Sequence, residues 1–209
     1  MRSNLDLLKD SVDILSGKWA DVIPTFFFYG ILTQVFSEFL KLFLLFGPLQ
    51  RGIFDLAYFA LVAPMSVGII IYSLAVVNKK DFSFNQLFIP YDDYLKTIGL
   101  IFVLSIIIIG GFVLFIIPGI ILSLIFSMSL YIFAEDPQIT IGEALRKSSE
   151  LTKGYRTKLF LLGLIYTGLL ILSVFTLFIG LIWLIPLFGI TSANFYNDLK
   201  SSHRVKKIS

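Results

Sequence analysis

The stretch LFLLGLIYTGLLILSVFTLFIGLIWLIPLFGITSANFYN, residues 159–197, carries no charged side chain. About 20 residues cross the ~30 Å hydrocarbon core of a bilayer, whereas a single helix of this length would reach ~58 Å at ~1.5 Å per residue. The stretch must therefore fold back as two spans, and Gly180 and Pro186 supply the break. Residues 97–134 repeat the pattern, uncharged and interrupted near Gly110, Gly111, Pro118 and Gly119. Continuous apolar runs such as residues 106–109 exclude a closed barrel, which needs period-two alternation.

The whole chain is 57% hydrophobic and 15% charged, against roughly half apolar and a quarter charged in soluble domains. Two more apolar segments precede the hairpins. The sequence thus predicts an all-α polytopic membrane helix bundle with six transmembrane spans, at about 22–46, 54–77, 97–115, 117–134, 159–178 and 180–198. Short cytoplasmic surface helices are expected at about 4–17, 83–94 and 140–153. Residues 1–199 form a single membrane domain, followed by a basic tail over 200–209. Residues 1–21 mix Asp6, Asp10, Asp13 and Asp21 with Arg2, Lys9 and Lys18, unlike a secretory signal.

Folded into six spans, the chain places fifteen of its 17 Lys and Arg residues on one side. By the positive-inside rule that side is cytoplasmic, which predicts a bacterial inner-membrane protein with both termini inside. Twelve of the 14 acidic residues fall there as well, leaving Glu38 and Asp55 as exceptions. The other face offers Arg51 and two apolar tips, so partners are expected from the cytoplasm or within the membrane plane.

Residues 140–153 form the clearest amphipathic segment. Thr140 and Glu143 have capping-box spacing. Ile141, Ala144, Leu145, Ser148 and Leu151 gather on one face, and Arg146, Lys147 and Lys153 lie among the polar residues of the other. The functional reading is a helix on anionic lipid headgroups, where each cation contributes ~1 kcal/mol. The competing reading is a connector whose cations only enforce topology. Residues 83–96 resemble a weaker copy, with Ser83 and Gln86 at the same spacing, which favours an internal duplication. Ser123 with Ser127, and Gly189 with Ala193, are small pairs suited to close helix packing.

Glu38 and Lys41 sit three apart on one helical face and read either as an outer-interface ion pair or as an intramembrane pair on a transport path. Pro64 and Gly68 interrupt the second span, where they kink it or admit a neighbour. Leu5, Leu8, Val12 and Leu15 outline an N-terminal apolar face ending at Gly17. With one histidine, His203, and no cysteine, the chain offers no His-based triad, thiolate site or other set of cofactor ligands, so no cofactor and no enzyme activity is expected.

Several elements resemble a family of uncharacterised bacterial integral membrane proteins, domain of unknown function number nine hundred and seventy-five. They are Leu15, Gly17, Lys18 and Trp19; Pro64 and Gly68; Ile117, Pro118 and Gly119; Tyr131 with Ala134, Glu135, Asp136 and Pro137; Glu143, Ala144, Lys147 and Ser148; Lys153 and Gly154; Leu159 and Phe160; Gly180, Trp183 and Pro186; and Phe195, Tyr196 and Leu199. The resemblance implies a multi-span inner-membrane protein and brings no catalytic residues with it. A more distant similarity is to the membrane domain attached to some glycerophosphodiester phosphodiesterases, without their catalytic domain.

The expected function is a non-enzymatic envelope module that organises lipid or a protein partner from the cytoplasmic face. Its partners are the bilayer, anionic headgroups, and a membrane protein or a second copy of the chain, with no nucleic acid. The alternative is a small transporter or channel.

Overall fold

A computed structural model describes residues 1–42 and 48–208, with backbone alone for residues 34–42, 48–51, 54 and 205–208. Among the described residues the chain is helical almost throughout and has no strand. The helices are α1 (Asn4–Leu15), α2 (Trp19–Leu42), α3 (Pro48–Val77), α4 (Tyr94–Leu114), α5 (Ile116–Phe126), α6 (Ser129–Glu135), α7 (Ile141–Thr152), α8 (Arg156–Val174) and α9 (Leu181–Ile208). Four segments are long and apolar enough to cross a membrane: Asp55–Val77, Tyr94–Leu114, Ile116–Glu135 and Arg156–Val174. The expected span at 22–46 falls on α2 as far as Leu42, with 43–46 outside the described residues, and that at 180–198 falls on α9 from Leu181. There α2 contributes a shorter apolar stretch, Trp19–Thr33, and α9 carries Asn194, Asn197 and Asp198.

Apolar surface left uncovered is extensive. Val113, Phe115 and Ile117 at the α4–α5 tip are 80%, 75% and 71% exposed. Contiguous apolar surface of this kind needs an apolar environment rather than water, which agrees with the long uncharged runs.

The first break falls between the two indicated groups of glycines and prolines, and the second takes in Gly180 but not Pro186. The first hairpin turns at Phe115, between α4 and α5, and Gly110, Gly111, Pro118 and Gly119 are all helical. Pro118 sits in the first turn of α5, where a missing N–H costs nothing. Gly111 and Gly119 instead allow contact: a Cβ on Gly111 would lie 3.0 Å from the Cα of Gly119. The second hairpin turns over residues 175–180, with Leu177 and Phe178 in left-handed backbone at φ 49° and 65°, and Pro186 lies inside α9. The residues assigned to a basic tail continue α9 as helix to Ile208.

The α1 helix is anchored to the middle of α9. Arg2 donates from its backbone N–H to Asp198 Oδ2 at 3.0 Å, from Nε to Asp198 Oδ1 at 3.2 Å, and to Asn194 Oδ1 at 3.0 Å. Asn194 Nδ2 faces Ser11 Oγ, and Leu15 packs with Ile190, so the contacts follow α9 backwards as α1 advances. These contacts rotate α1 away from the expected face. Leu7, Ser11 and Leu15 are buried, while Leu5 and Val12 are 63% and 44% exposed. Gly17 ends the helix as expected, at φ 78°, a conformation that glycine adopts without a Cβ penalty.

Two backbone irregularities organise the rest. Pro64 has no N–H, so the carbonyl of Ala60, four residues earlier in α3, lacks its helical partner. Tyr94 Oη donates to it at 3.1 Å, and Tyr91 Oη donates to the adjacent Leu61 carbonyl. Gly68 admits the backbone of Leu87, whose carbonyl oxygen would clash with a Cβ at that position. The segment expected as a surface helix over 83–94 is therefore two 3₁₀ turns, Phe84–Leu87 and Ile89–Tyr91, pressed against α3. Pro90 removes one donor there, Ser83 makes no side-chain cap, and Gln86 Nε2 donates to the Asp81 carbonyl instead.

The second irregularity divides the expected span 117–134 into α5 and α6. At the break the Ile125 carbonyl accepts from Ser148 Oγ at 2.9 Å and from Thr152 Oγ1 at 3.2 Å, while Met128 N donates to Ser148 Oγ at 3.2 Å. The capping box of α7 forms as its spacing indicates, with Glu143 N donating to Thr140 Oγ1 and Thr140 N donating to Glu143 Oε2. However, the α7 face read as lying on lipid is covered by protein, with Ala144, Ser148 and Thr152 fully buried. Hydroxyls on that face serve the broken helix, which lipid could not do.

Candidate functional site: a polar cleft around Glu135 and Lys200

The polar groups left over from helix packing converge where α3 and α6 end against the C-terminal half of α9. α6 stops at Glu135 as the charge-free run gives way to Glu135 and Asp136. Tyr196 and Lys200, four residues apart on α9, share one face. Glu135 Oε2 accepts from Tyr196 Oη at 2.8 Å and from Lys200 Nζ, whose ammonium also lies 5.4 Å from the Tyr196 ring centroid. The ring of Tyr131 packs 5.4 Å from that of Tyr196 and holds it in place. Asn197 Nδ2 donates to Asn78 Oδ1 at 2.9 Å, tying the end of α3 to the same turn of α9.

The Glu135–Lys200 pair is about one-third exposed on each side, so solvent screens it and its contribution to stability is modest. Its position matters more than its energy. Three adjoining cavities, of about 440, 280 and 270 Å³, all include Glu135 and Lys200 in their walls. The largest adds Asn78, Lys80, Asp81, Gln86 and Asp136. The second adds Asn197, Ser201 and Arg204, and the third adds Lys147, Glu150 and His203. Two buried polar atoms in these walls, Gln86 Oε1 and His203 Nδ1, have no hydrogen-bond partner.

Of the residues singled out in the sequence, Lys147 reaches this cleft. Arg146 stands on the exposed face of α7 and donates to Glu150 Oε1 at 2.9 Å, and Lys153 is exposed at the end of the helix. The side chains of Glu38 and Lys41 lie outside the described residues. Sequence reasoning missed Asn78, Gln86 and Arg204 as site residues, and gave Glu135, Tyr196 and Lys200 no part in a site. The available signal was the acidic residue closing one uncharged run and the Tyr and Lys at helical spacing closing another.

Residues 56–203 match the family described as Protein of unknown function (DUF975). The chain belongs to this family. The matched span takes in Asn78, Gln86, Glu135, Tyr196 and Lys200, together with both repaired breaks, whereas α1 and its Arg2 anchor lie outside it. No curated protein and no solved structure matches the chain.

Proposed function

We infer that this protein is a non-enzymatic module of the bacterial inner membrane that organises lipid or a protein partner from its cytoplasmic face. In this reading six spans cross the bilayer, both termini are cytoplasmic, and Arg146, Lys147 and Lys153 face anionic headgroups. The observation that carries it is how polarity is distributed. Hydroxyls within the apolar helices, such as Ser66, Ser105, Ser123, Thr167, Ser173 and Thr191, donate to carbonyls three or four residues back in their own helix. They are thereby engaged locally rather than presented to a solute. Of the buried polar atoms without a partner, Gln86 Oε1 and His203 Nδ1 belong to residues that line the cleft at Glu135, whereas Ser129 Oγ lies in α6, Asn4 Oδ1 in α1 and Arg156 Nε at the start of α8. The positive-inside rule supports a cytoplasmic position for that end.

A small transporter or channel is the competing reading, and the interruption between α5 and α6 favours it, because discontinuous helices build many transport sites. Photoreactive residues at Asp81 and Lys153 and flux in reconstituted vesicles decide between the two. The expected result is crosslinks to phospholipid headgroups or to one protein, without flux above empty vesicles. Reproducible solute flux that disappears when Glu38 and Lys41 are both replaced by Gln would establish the transporter instead.

A further inference from the structure

The cleft around Glu135 and Lys200 is divided by charge. The chamber of about 280 Å³ is lined by two cations, Lys200 and Arg204, and one carboxylate, Glu135, which already pairs with Lys200. Asn78 accepts there through Oδ1, so its own NH₂ remains available to donate. This side offers donors. The adjoining chamber of about 440 Å³, within the volume range of small-molecule sites, has three carboxylates, Asp81, Glu135 and Asp136, against Lys80 and Lys200.

Gln86 determines what that second chamber lacks. Its Nε2 donates to the Asp81 carbonyl, which fixes the amide orientation and leaves Oε1, on a residue of that wall, a buried acceptor without a donor. A buried acceptor left unpaired is costly, and the neighbouring carboxylates favour a donor that is positively charged. A simple anion would satisfy Arg204 and leave Gln86 and Asp81 unmatched. A simple cation would do the reverse.

We propose that the cleft binds a zwitterionic phosphoamine, a phosphate ester bearing a primary ammonium a few bonds away. Its phosphate lies against Arg204, Lys200 and the Asn78 amide, and its ammonium lies against Gln86 Oε1, Asp81 and Asp136. The Glu135–Lys200 pair stands between the two poles, where it sets their separation. This assignment rests on the reading of the polar end as the working face. Two sources share the chemistry: the headgroup of an ethanolamine phospholipid, and free phosphoethanolamine.

The full chain in detergent micelles tests this. Calorimetric titration uses O-phosphoethanolamine, inorganic phosphate and ethanolamine. Native mass spectrometry compares phosphatidylethanolamine with phosphatidylglycerol of the same acyl chains. The expected result is saturable binding of the phosphoamine, free or lipid-borne, well above phosphate or ethanolamine alone. Arg204→Gln should weaken it about tenfold, as should Gln86→Met, consistent with loss of a charge-assisted hydrogen bond. Of the two, only Arg204→Gln should weaken the residual binding of phosphate.

Binding of the lipid alone identifies the headgroup as the source, and binding of free phosphoethanolamine alone identifies the solute. Either result supports the assignment. Equal retention of the two lipids without phosphoethanolamine binding, or binding indifferent to both substitutions in folded protein, would overturn it. Headgroup or protein crosslinks from the polar end would survive that outcome, so failure of the ligand assignment is distinct from failure of the module reading.

Discussion

Tyr94 Oη donates at 3.1 Å to the carbonyl of Ala60, the group that Pro64 deprives of its amide partner in α3. A side chain 34 residues further on thus completes a helix that its own sequence interrupts. Inside an apolar bundle this matters, because no water is available to take the bond.

Tyr94→Phe should therefore lower stability by about 1–3 kcal/mol, the usual cost of stranding a buried carbonyl. Pro64→Ala restores the helical N–H, so in that background the same change should cost little. Chemical unfolding of the four proteins in detergent supplies the double-mutant cycle. Equal costs in both backgrounds would show that Tyr94 does not act through the Pro64 break.

Ser148 should be more sensitive than its position on an amphipathic helix indicates. It donates to the Ile125 carbonyl and accepts from the Met128 amide at the α5–α6 break. Ser148→Ala strands the Met128 amide and leaves the Ile125 carbonyl to Thr152 Oγ1 alone, so it should cost about 1–3 kcal/mol, with faster hydrogen exchange at Met128. The neighbouring Ser149→Ala should be nearly silent, and equal effects at the two sites would contradict the assigned role.

The α7 capping box predicts a pH dependence. Hydrogen bonds from the Thr140 hydroxyl and backbone N–H hold the Glu143 carboxyl below its ordinary value of 4.5. A lowered carboxyl pKa makes the contribution complete above that ordinary value and removes it as pH falls through the lowered one. Thr140→Ala should return the Glu143 titration towards 4.5, read by carboxyl ¹³C shifts, and should weaken the helix start by about 1 kcal/mol. An unchanged titration would argue against the box in solution.

The absence of cysteine gives a clean background for topology. Single cysteines at Gln50, Lys80, Ser149 and His203 should divide sharply. An impermeant thiol reagent added outside intact cells is expected to label position 50 and spare the other three until the membrane is opened. Strong outside labelling at 149 would rule out the six-span orientation.

The all-α class was legible because hydropathy and helix period are properties of neighbouring residues, and the uncharged runs leave few alternatives in lipid. The α7 capping box was legible for the same reason, since Thr140 and Glu143 lie within one turn. The expected second box, Ser83 with Gln86, failed because Gly68 draws the Leu87 backbone onto α3 and Pro90 withholds a donor. Local spacing was identical, and distant packing decided the outcome.

By itself the sequence determined that this chain is a helical membrane protein, where its long uncharged helices lie and how α7 begins. Only the tertiary structure decided which face of α1 is buried, that the fourth span is broken and mended by Ser148, and that Glu135 meets Tyr196 across 61 positions. The physical reason is range. Burial of apolar side chains is nearly non-directional and can be read from composition, whereas a hydrogen bond needs donor and acceptor within about 3 Å and in line. That condition is set by how remote helices pack, and it created the cleft around Glu135 and Lys200.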